Sequence, residues 1–187
     1  NRIWRSVGSR KAGARRTSKL AEQLLALGRI TAGGDAVQQQ SVSMRELCCD
    51  VIATMEPLLG RRGQAIGLDA PVDCRVWGEP AQLQRMLQNL IDNASVHGDE
   101  HGEIQVTLDA GPGVALLGVC NDGAVIPDSE RAHLFTPYYR LPGARAGGHG
   151  LGLAIVAEIV NQHHGQILIQ TRSDGQGTCV LVSLPLA

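Results

Sequence analysis

Gln88-Asn89-Leu90-Ile91-Asp92-Asn93-Ala94 is the stretch on which the reading of this chain turns. It sits within Glu79–Ser95, where Glu79-Pro80 sets a proline at a helix start and Leu83, Met86, Leu87, Leu90, Ile91 and Ala94 recur at three- and four-residue spacing. That pattern predicts an amphipathic helix. Asn89 and Asn93 are four positions apart, so they stack on one side of it, opposite the Leu87/Leu90/Ile91/Ala94 face. Two amide oxygens aimed the same way suit a hard cation such as Mg²⁺, which keeps several waters and grips phosphate oxygens. Taken alone, two helical asparagines are more often N-terminal or surface polar groups, so the neighbouring segments must decide.

Toward the carboxyl terminus, Ile104–Leu108 alternates and Val114–Cys120 is a continuous apolar run, predicting two adjacent strands joined at Ala110–Gly113. The second strand runs out into Asn121-Asp122-Gly123-Ala124-Val125-Ile126-Pro127. Ligands are met at strand ends, a polar side chain there can read an exocyclic amine, and Gly123 permits close approach of a ring. An ordinary Asn-Asp-Gly turn is the competing reading. From Asn121 to Gly148 the chain is rich in Gly, Pro and Arg, and an irregular stretch of that length inside a domain is usually a functional lid.

Gly147-Gly148-His149-Gly150-Leu151-Gly152-Leu153-Ala154-Ile155-Val156 closes the lid and opens into a helix expected to reach His163. Bare backbone N–H groups at a helix N-terminus, helped by the helix dipole, make a site for phosphate oxygens. No Gly-Lys-Ser/Thr follows and no strand directly precedes, which excludes a Walker loop and a Rossmann fingerprint. No lysine occurs after Lys19, so side-chain neutralisation of phosphate falls to arginine, with Arg140 and Arg145 the candidates in the lid. Strands Gln166–Thr171 and Thr178–Leu184, turning at Ser173-Asp174-Gly175, complete the chain.

Toward the amino terminus, Leu47, Val51, Met55, Leu58 and Leu59 mark a helix that Gly60 to Gly63 closes, after a strand-like scrap at Gln40–Ser43. Gln64–Leu68 and Cys74–Trp77 read as a short hairpin around Asp69-Ala70-Pro71-Val72. Leu20, Leu24, Leu25, Leu27 and Ile30 form the stripe of a further amphipathic helix, Thr17–Ile30, stopped at Gly33-Gly34. Strands in sequence, helices on one face and an open opposite side give a two-layer α/β sandwich.

The 187 residues hold one domain of ordinary size plus an appendage. At 43% hydrophobic, 19% charged and 3% aromatic the chain is globular, with aliphatic side chains filling the core. Five cysteines, Cys48, Cys49, Cys74, Cys120 and Cys179, show no C-x-x-C pairing, so neither a disulfide framework nor a zinc site is expected and a reducing cytosol fits. Arg2, Arg5, Arg10, Lys11, Arg15, Arg16 and Lys19 make the start basic, but without aromatic interleaving beyond Trp4 no nucleic-acid partner is expected. No apolar run reaches membrane-spanning length, and the start at Asn1 without Met suggests an excised fragment.

In order and spacing, the motifs of residues 79–187 resemble the histidine kinase branch of the ATPase superfamily shared with gyrase, a heat-shock chaperone and MutL. QNLIDNASVHG looks like the N box, NDGAVIP like the first glycine box, HLFTPYYR like the phenylalanine box, and GGHGLGLAIV and GQGT like the later glycine boxes. The resemblance implies a Bergerat-type fold: a mixed, mainly antiparallel sheet with helices on one face and a long ATP lid, about 121–149. It implies ATP and Mg²⁺ as ligands, with Asn89 and Asn93 on the metal, Asn121 reading adenine beside Gly123 and Ile126, and His97 packing by the base. Gly148, Gly150, Leu151, Gly152 and Leu153 would cradle phosphates, Arg140 would help there, and Thr178 would support the base pocket.

TSKLAEQLLALGRITAGG is similar to the second helix of the family's dimerisation and phosphotransfer hairpin, giving domains 1–34 and 35–187. The expected partners are a response regulator and, in the intact protein, a second copy through that hairpin. The expected location is the cytosolic side of a sensor whose parent can be membrane-anchored. None of His97, His101, His133, His149, His163 and His164 has the phosphoacceptor's His-Glu/Asp setting, so that histidine is expected outside this sequence. Three departures stand out: Asn121 replaces the family's adenine-reading Asp, Val125 a second glycine, and Val96 a frequent Lys. They keep a degenerate nucleotide-binding or interaction module open as the alternative. A serine kinase or another ATPase of the superfamily fits less well, since those relatives lack the hairpin helix.

Overall fold

The computed structural model describes Gly28 and residues 39–143 and 149–187. The chain divides into two units, Asn1–Asp35 and Ala36–Ala187, and the second is described below. The expected helix Thr17–Ile30 lies outside the described residues except for Gly28, as do Arg145, Gly147 and Gly148.

Strand β1 (Gln40–Ser43) delivers Ser43 to the start of helix α1 (Met44–Gly60). Ser43 Oγ accepts from Glu46 N at 3.2 Å and itself donates to Asp73 Oδ1 at 2.9 Å, so one hydroxyl caps the helix and ties it to a distant loop. Met44, Leu47, Cys48, Val51, Met55 and Leu59 make the buried face. Leu58, expected on it, points out and is 55% exposed. Burial, and secondarily the neighbouring Cys49, push the Cys48 thiol up to about 12.

Strands β2 (Ala65–Asp69) and β3 (Arg75–Gly78) do not form the expected hairpin. β2 lies parallel to β4 (Glu103–Gly111), whereas β3 pairs antiparallel with β1, Gln40 facing Gly78. The connecting segment explains the split. Asp73 Oδ1 also accepts from Arg45 N at 3.2 Å, and the Arg45 guanidinium donates to Ala70 O at 2.8 Å. The loop is thereby pinned to the start of α1 and cannot close a tight turn.

Helix α2 (Pro80–His97) makes the crossover that a parallel β2–β4 pair requires. β5 (Val114–Asn121) follows β4 through a tight turn, then come a single turn of helix, α3 (Asp128–Arg131), and a 3₁₀ turn, Ala132–Phe135. Helix α4 (Gly152–Gln162) and strands β6 (Gln166–Thr171) and β7 (Thr178–Pro185) complete the order. The main sheet is β2-β4-β5-β7-β6, antiparallel except at β2–β4.

One face of the sheet carries Ile104, Val106, Leu108, Leu117, Val119, Val180 and Val182, all buried under the helices. On the other face Leu116 and Leu168 are 43% and 49% exposed. The two-layer expectation therefore holds, with an aliphatic core between helices and a mixed sheet. Each fully buried Leu or Ile there contributes about 1.5–3 kcal/mol of transfer free energy.

One expectation about cysteines is corrected. Cys120 and Cys179 face each other across β5 and β7 and are joined in a disulfide. Their separation of 59 residues hides the pairing from any spacing rule, since only the strand register brings them together. Cys48, Cys49 and Cys74 are free thiols. Among the described residues, no helix is long and apolar enough to cross a membrane.

Candidate functional site

Asn89 and Asn93 are both half-buried. They lie at the margin of the α2 core face, not opposite it, because α4 packs alongside α2 and covers that flank. Asn89 Nδ2 donates to Arg85 O at 3.0 Å, four residues back, which directs the amide oxygen away from its own helix. That oxygen stands 3.7 Å from where a Cβ on Gly152 would be. The first asparagine and the start of α4 are thus neighbours. An amide oxygen is a hard oxygen ligand of the kind Mg²⁺ accepts alongside waters and phosphate. Among the described residues no group of three or more His, Cys, Asp or Glu forms an alternative metal centre.

The N-terminus of α4 has Leu151 in the capping position with no side-chain cap, so side chains leave its first-turn N–H groups to other acceptors. Leu151 is fully buried and Leu153 nearly so, anchoring the turn from below. Gly150 has φ +69°, and a Cβ there would fall 2.7–2.9 Å from the Tyr138 and Tyr139 backbone. Gly150 O accepts from Tyr138 N at 2.8 Å, which clips the glycine turn to the Phe135–Tyr139 segment.

Helix α2 also touches the end of β5. Gly98, just past His97, forms a bridge with Gly123, and a Cβ on Gly123 (φ +129°) would meet His97 O at 3.0 Å. The glycine is therefore required by backbone proximity and positive φ, a reason other than the ring approach expected from sequence. His97 itself is exposed at the helix end.

Asn121 is 7% exposed and directly opposite Thr178, which is 6% exposed, on the helix-covered face of the sheet. Asn121 Nδ2 donates to Asp122 O at 2.6 Å, leaving its oxygen as the acceptor the side chain presents. Thr178 Oγ1 donates to Ala124 O at 3.2 Å and so holds the segment that leaves β5. Gly177, at φ +86°, packs against the Asn121 carbonyl so closely that any Cβ would overlap it. Ile126 is half-buried and Arg140 exposed. Asn89, Asn93 and His97 thus share one helix, which meets Gly152 at Asn89 and Gly123 at the His97 carbonyl, while Asn121 pairs with Thr178.

Several side chains that brace these segments carry no signal in local sequence. Arg131 reaches three ways: to Ile126 O at 3.1 Å, to Asp128 at 2.7 Å and to Thr171 Oγ1 at 2.8 Å, fastening the Ile126–Arg131 segment to β6. Arg172 pairs with Asp122 and, at 3.0 Å, with Asp174. Tyr139 Oη donates to Glu130, and its ring stacks at 5.5 Å from His133. That hydrogen bond favours the protonated phenol and, with some burial, raises the Tyr139 pKa. The stretch after Asn121, expected to be irregular, therefore contains two short helical turns under side-chain restraint.

Comparison with known proteins agrees with this arrangement. Residues 78–187 match the family described as histidine kinase-, DNA gyrase B-, and HSP90-like ATPase. The sensor protein VanS of Enterococcus faecium is 36% identical over 132 residues, 69% of this chain and 34% of that protein. The signal transduction histidine-protein kinase/phosphatase MprB of Mycobacterium sp. (strain KMS) is 37% identical over 174 residues, 90% of this chain and 33% of that protein. A solved structure of histidine kinase ThkA in complex with response regulator protein TrrA superposes with a TM-score of 0.73 at 21% identity, over 91% of this chain and 49% of that one. The chain thus spans about a third of the length of the relatives it matches. The matched residues run from the last residue of β3 to the end of the chain, and the chain belongs to the family of histidine kinase-, DNA gyrase B- and HSP90-like ATPases.

Proposed function

We propose that this chain is the ATP-binding catalytic part of a two-component sensor histidine kinase. It passes the γ-phosphoryl group of ATP to a histidine outside this sequence, for onward transfer to a response regulator. The observation that carries the reading is the meeting of the Asn89 oxygen with Gly152, since it sets the asparagine helix against an uncapped helix N-terminus.

In this reading Asn121 accepts from the adenine amine, and Thr178, Gly123, Ile126 and His97 shape the base pocket. The N–H groups at Gly150, Leu151, Gly152 and Leu153, with Gly148, receive phosphate oxygens. Asn89 and Asn93 would hold Mg²⁺, which would supply neutralisation of the phosphate charge. Arg140 adds positive charge from the lid. The chain's own work is positioning and electrostatic, which is what phosphoryl transfer demands of a protein. The relatives' names, and the ThkA–TrrA complex in particular, support a response regulator as partner. A second copy joined through residues 17–30, and a cytosolic setting, complete the proposal.

Asn121 is uncharged where the resemblance calls for a carboxylate, and this favours a degenerate nucleotide-binding module as the second reading. Calorimetric titration with a non-hydrolysable ATP analogue and Mg²⁺ separates the two. Saturable, Mg²⁺-dependent binding is expected; no heat of binding at millimolar nucleotide would leave the degenerate module. Labelled phosphate appearing on an added phosphoacceptor helix would then establish the transfer.

A further inference from the structure

The Cys120–Cys179 bond lies on the rung next to Asn121 and Thr178, with Cys120 immediately before Asn121 and Cys179 immediately after Thr178. Because side chains alternate along a strand, the cysteines face away from the helices while Asn121 and Thr178 face toward them. The bond is therefore reached from the open side of the sheet. Cys120 is half-buried and Cys179 is 5% exposed, so Cys120 is the more accessible residue of the pair. The flanking residues on that rung are uncharged: Gln105 opposite Cys120 and Gln170 opposite Cys179.

We infer that Cys120 and Cys179 form a thiol–disulfide exchange site whose oxidation state sets the affinity of the adjoining nucleotide site. The inference rests on the nucleotide reading of Asn121 and Thr178 given above. In the oxidising direction the Cys120 thiolate attacks a low-molecular-weight disulfide, forming a mixed disulfide and releasing one thiol. The Cys179 thiolate then displaces the second thiol and closes the bond. The pair gives up two electrons and two protons, and the external disulfide becomes two thiols. A dithiol reverses the sequence, entering at Cys120 because Cys179 is buried.

The coupling is mechanical. Two unbonded sulfur atoms cannot approach as closely as two bonded ones, so reduction forces β5 and β7 apart or rotates both side chains. The next rung is Asn121–Thr178, whose side chains also hold the Asp122 and Ala124 carbonyls in the segment that leaves β5. Cys48, Cys49 and Cys74 are elsewhere and supply an internal control.

The test uses the whole chain equilibrated at several ratios of reduced to oxidised dithiothreitol. Acid quenching, alkylation after unfolding and peptide mass mapping report the bond; calorimetry with a non-hydrolysable ATP analogue and Mg²⁺ reports the site. The expected result is a reversible transition of Cys120 and Cys179 alone, with affinity about fivefold weaker in the reduced form. Cys120→Val with Cys179→Val should bind identically in both conditions, and should that variant fail to fold, the wild-type comparison stands by itself. Alkylation of both cysteines at every ratio, a bond among other cysteines, or a bond that native-state dithiol never opens would overturn the exchange site. Equal affinity in both states would overturn the coupling alone, whereas no binding in either state would remove the nucleotide site and the coupling with it.

Discussion

Arg172 forms an ion pair with Asp122, a residue 50 positions away that directly follows Asn121. Asp122 is held a second time, through Oδ2, by Glu103 N at 2.9 Å. The end of β5 is thus fixed from β4 on one side and from the β6–β7 turn on the other. Asn121 inherits its orientation from this clamp, because its amide bonds the Asp122 carbonyl.

Replacing Arg172 by Ala should cost about 1 kcal/mol or less in urea unfolding, since both partners are partly exposed and the pair is screened. Nucleotide affinity should fall further than stability does, and Arg172→Lys should recover part of it. Equal losses in the two measurements would show that the clamp is structural only.

Gly177→Ala should be among the most damaging single substitutions in the sheet. The residue combines φ +86° with a carbonyl where the new methyl must go. A loss of about 2 kcal/mol or more is expected by thermal or urea unfolding. Gly175→Ala, also at positive φ (+78°) but with open space around it, should lose less.

Asn93→Ala should abolish Mg²⁺-dependent nucleotide binding while changing unfolding free energy by no more than about 1 kcal/mol. The side chain is half-buried at the edge of α2, outside the Leu90/Ile91/Ala94 core. A large drop in melting temperature without ligand would assign the asparagine a structural role.

The Cys48 thiol gives an alkaline signature. Its pKa rises from 9.0 to about 12 on folding, so the folded state is favoured by the protonated form. Its contribution is whole below pH 9 and is lost as pH climbs from 9 toward 12, at a limiting slope of about 1.4 kcal/mol per pH unit. Urea midpoints between pH 8 and pH 10.5 should show this slope, and Cys48→Ala, though less stable overall, should show a shallower one.

What was legible in the sequence was whatever repeats over a short distance. Leu83 to Ala94 announced α2, and the alternation from Ile104 to Leu108 announced β4, because helix and strand periods are local properties of the chain. The identity of a strand's neighbour is not local. Ala65–Asp69 has the same pattern whether it pairs with the next strand or, as it does, with β4 beyond a helix. Arg131–Thr171, Arg172–Asp122 and Cys120–Cys179 were illegible for the same reason, each spanning 40 residues or more. The site residues lay between these extremes: their motifs stood out, but the half-burial of Asn89 and Asn93 depended on where α4 packed.

The bridge between Gly98 and Gly123 joins the asparagine helix to the segment that leaves β5 through main chain alone. A joint of that kind has no side chain to tune. Substitution can break it, as the 3.0 Å approach to His97 O implies for Gly123, but cannot strengthen or soften it by degrees. Any graded change at this junction must therefore come from flanking side chains such as Val125 and Arg131, while the junction itself is either intact or broken.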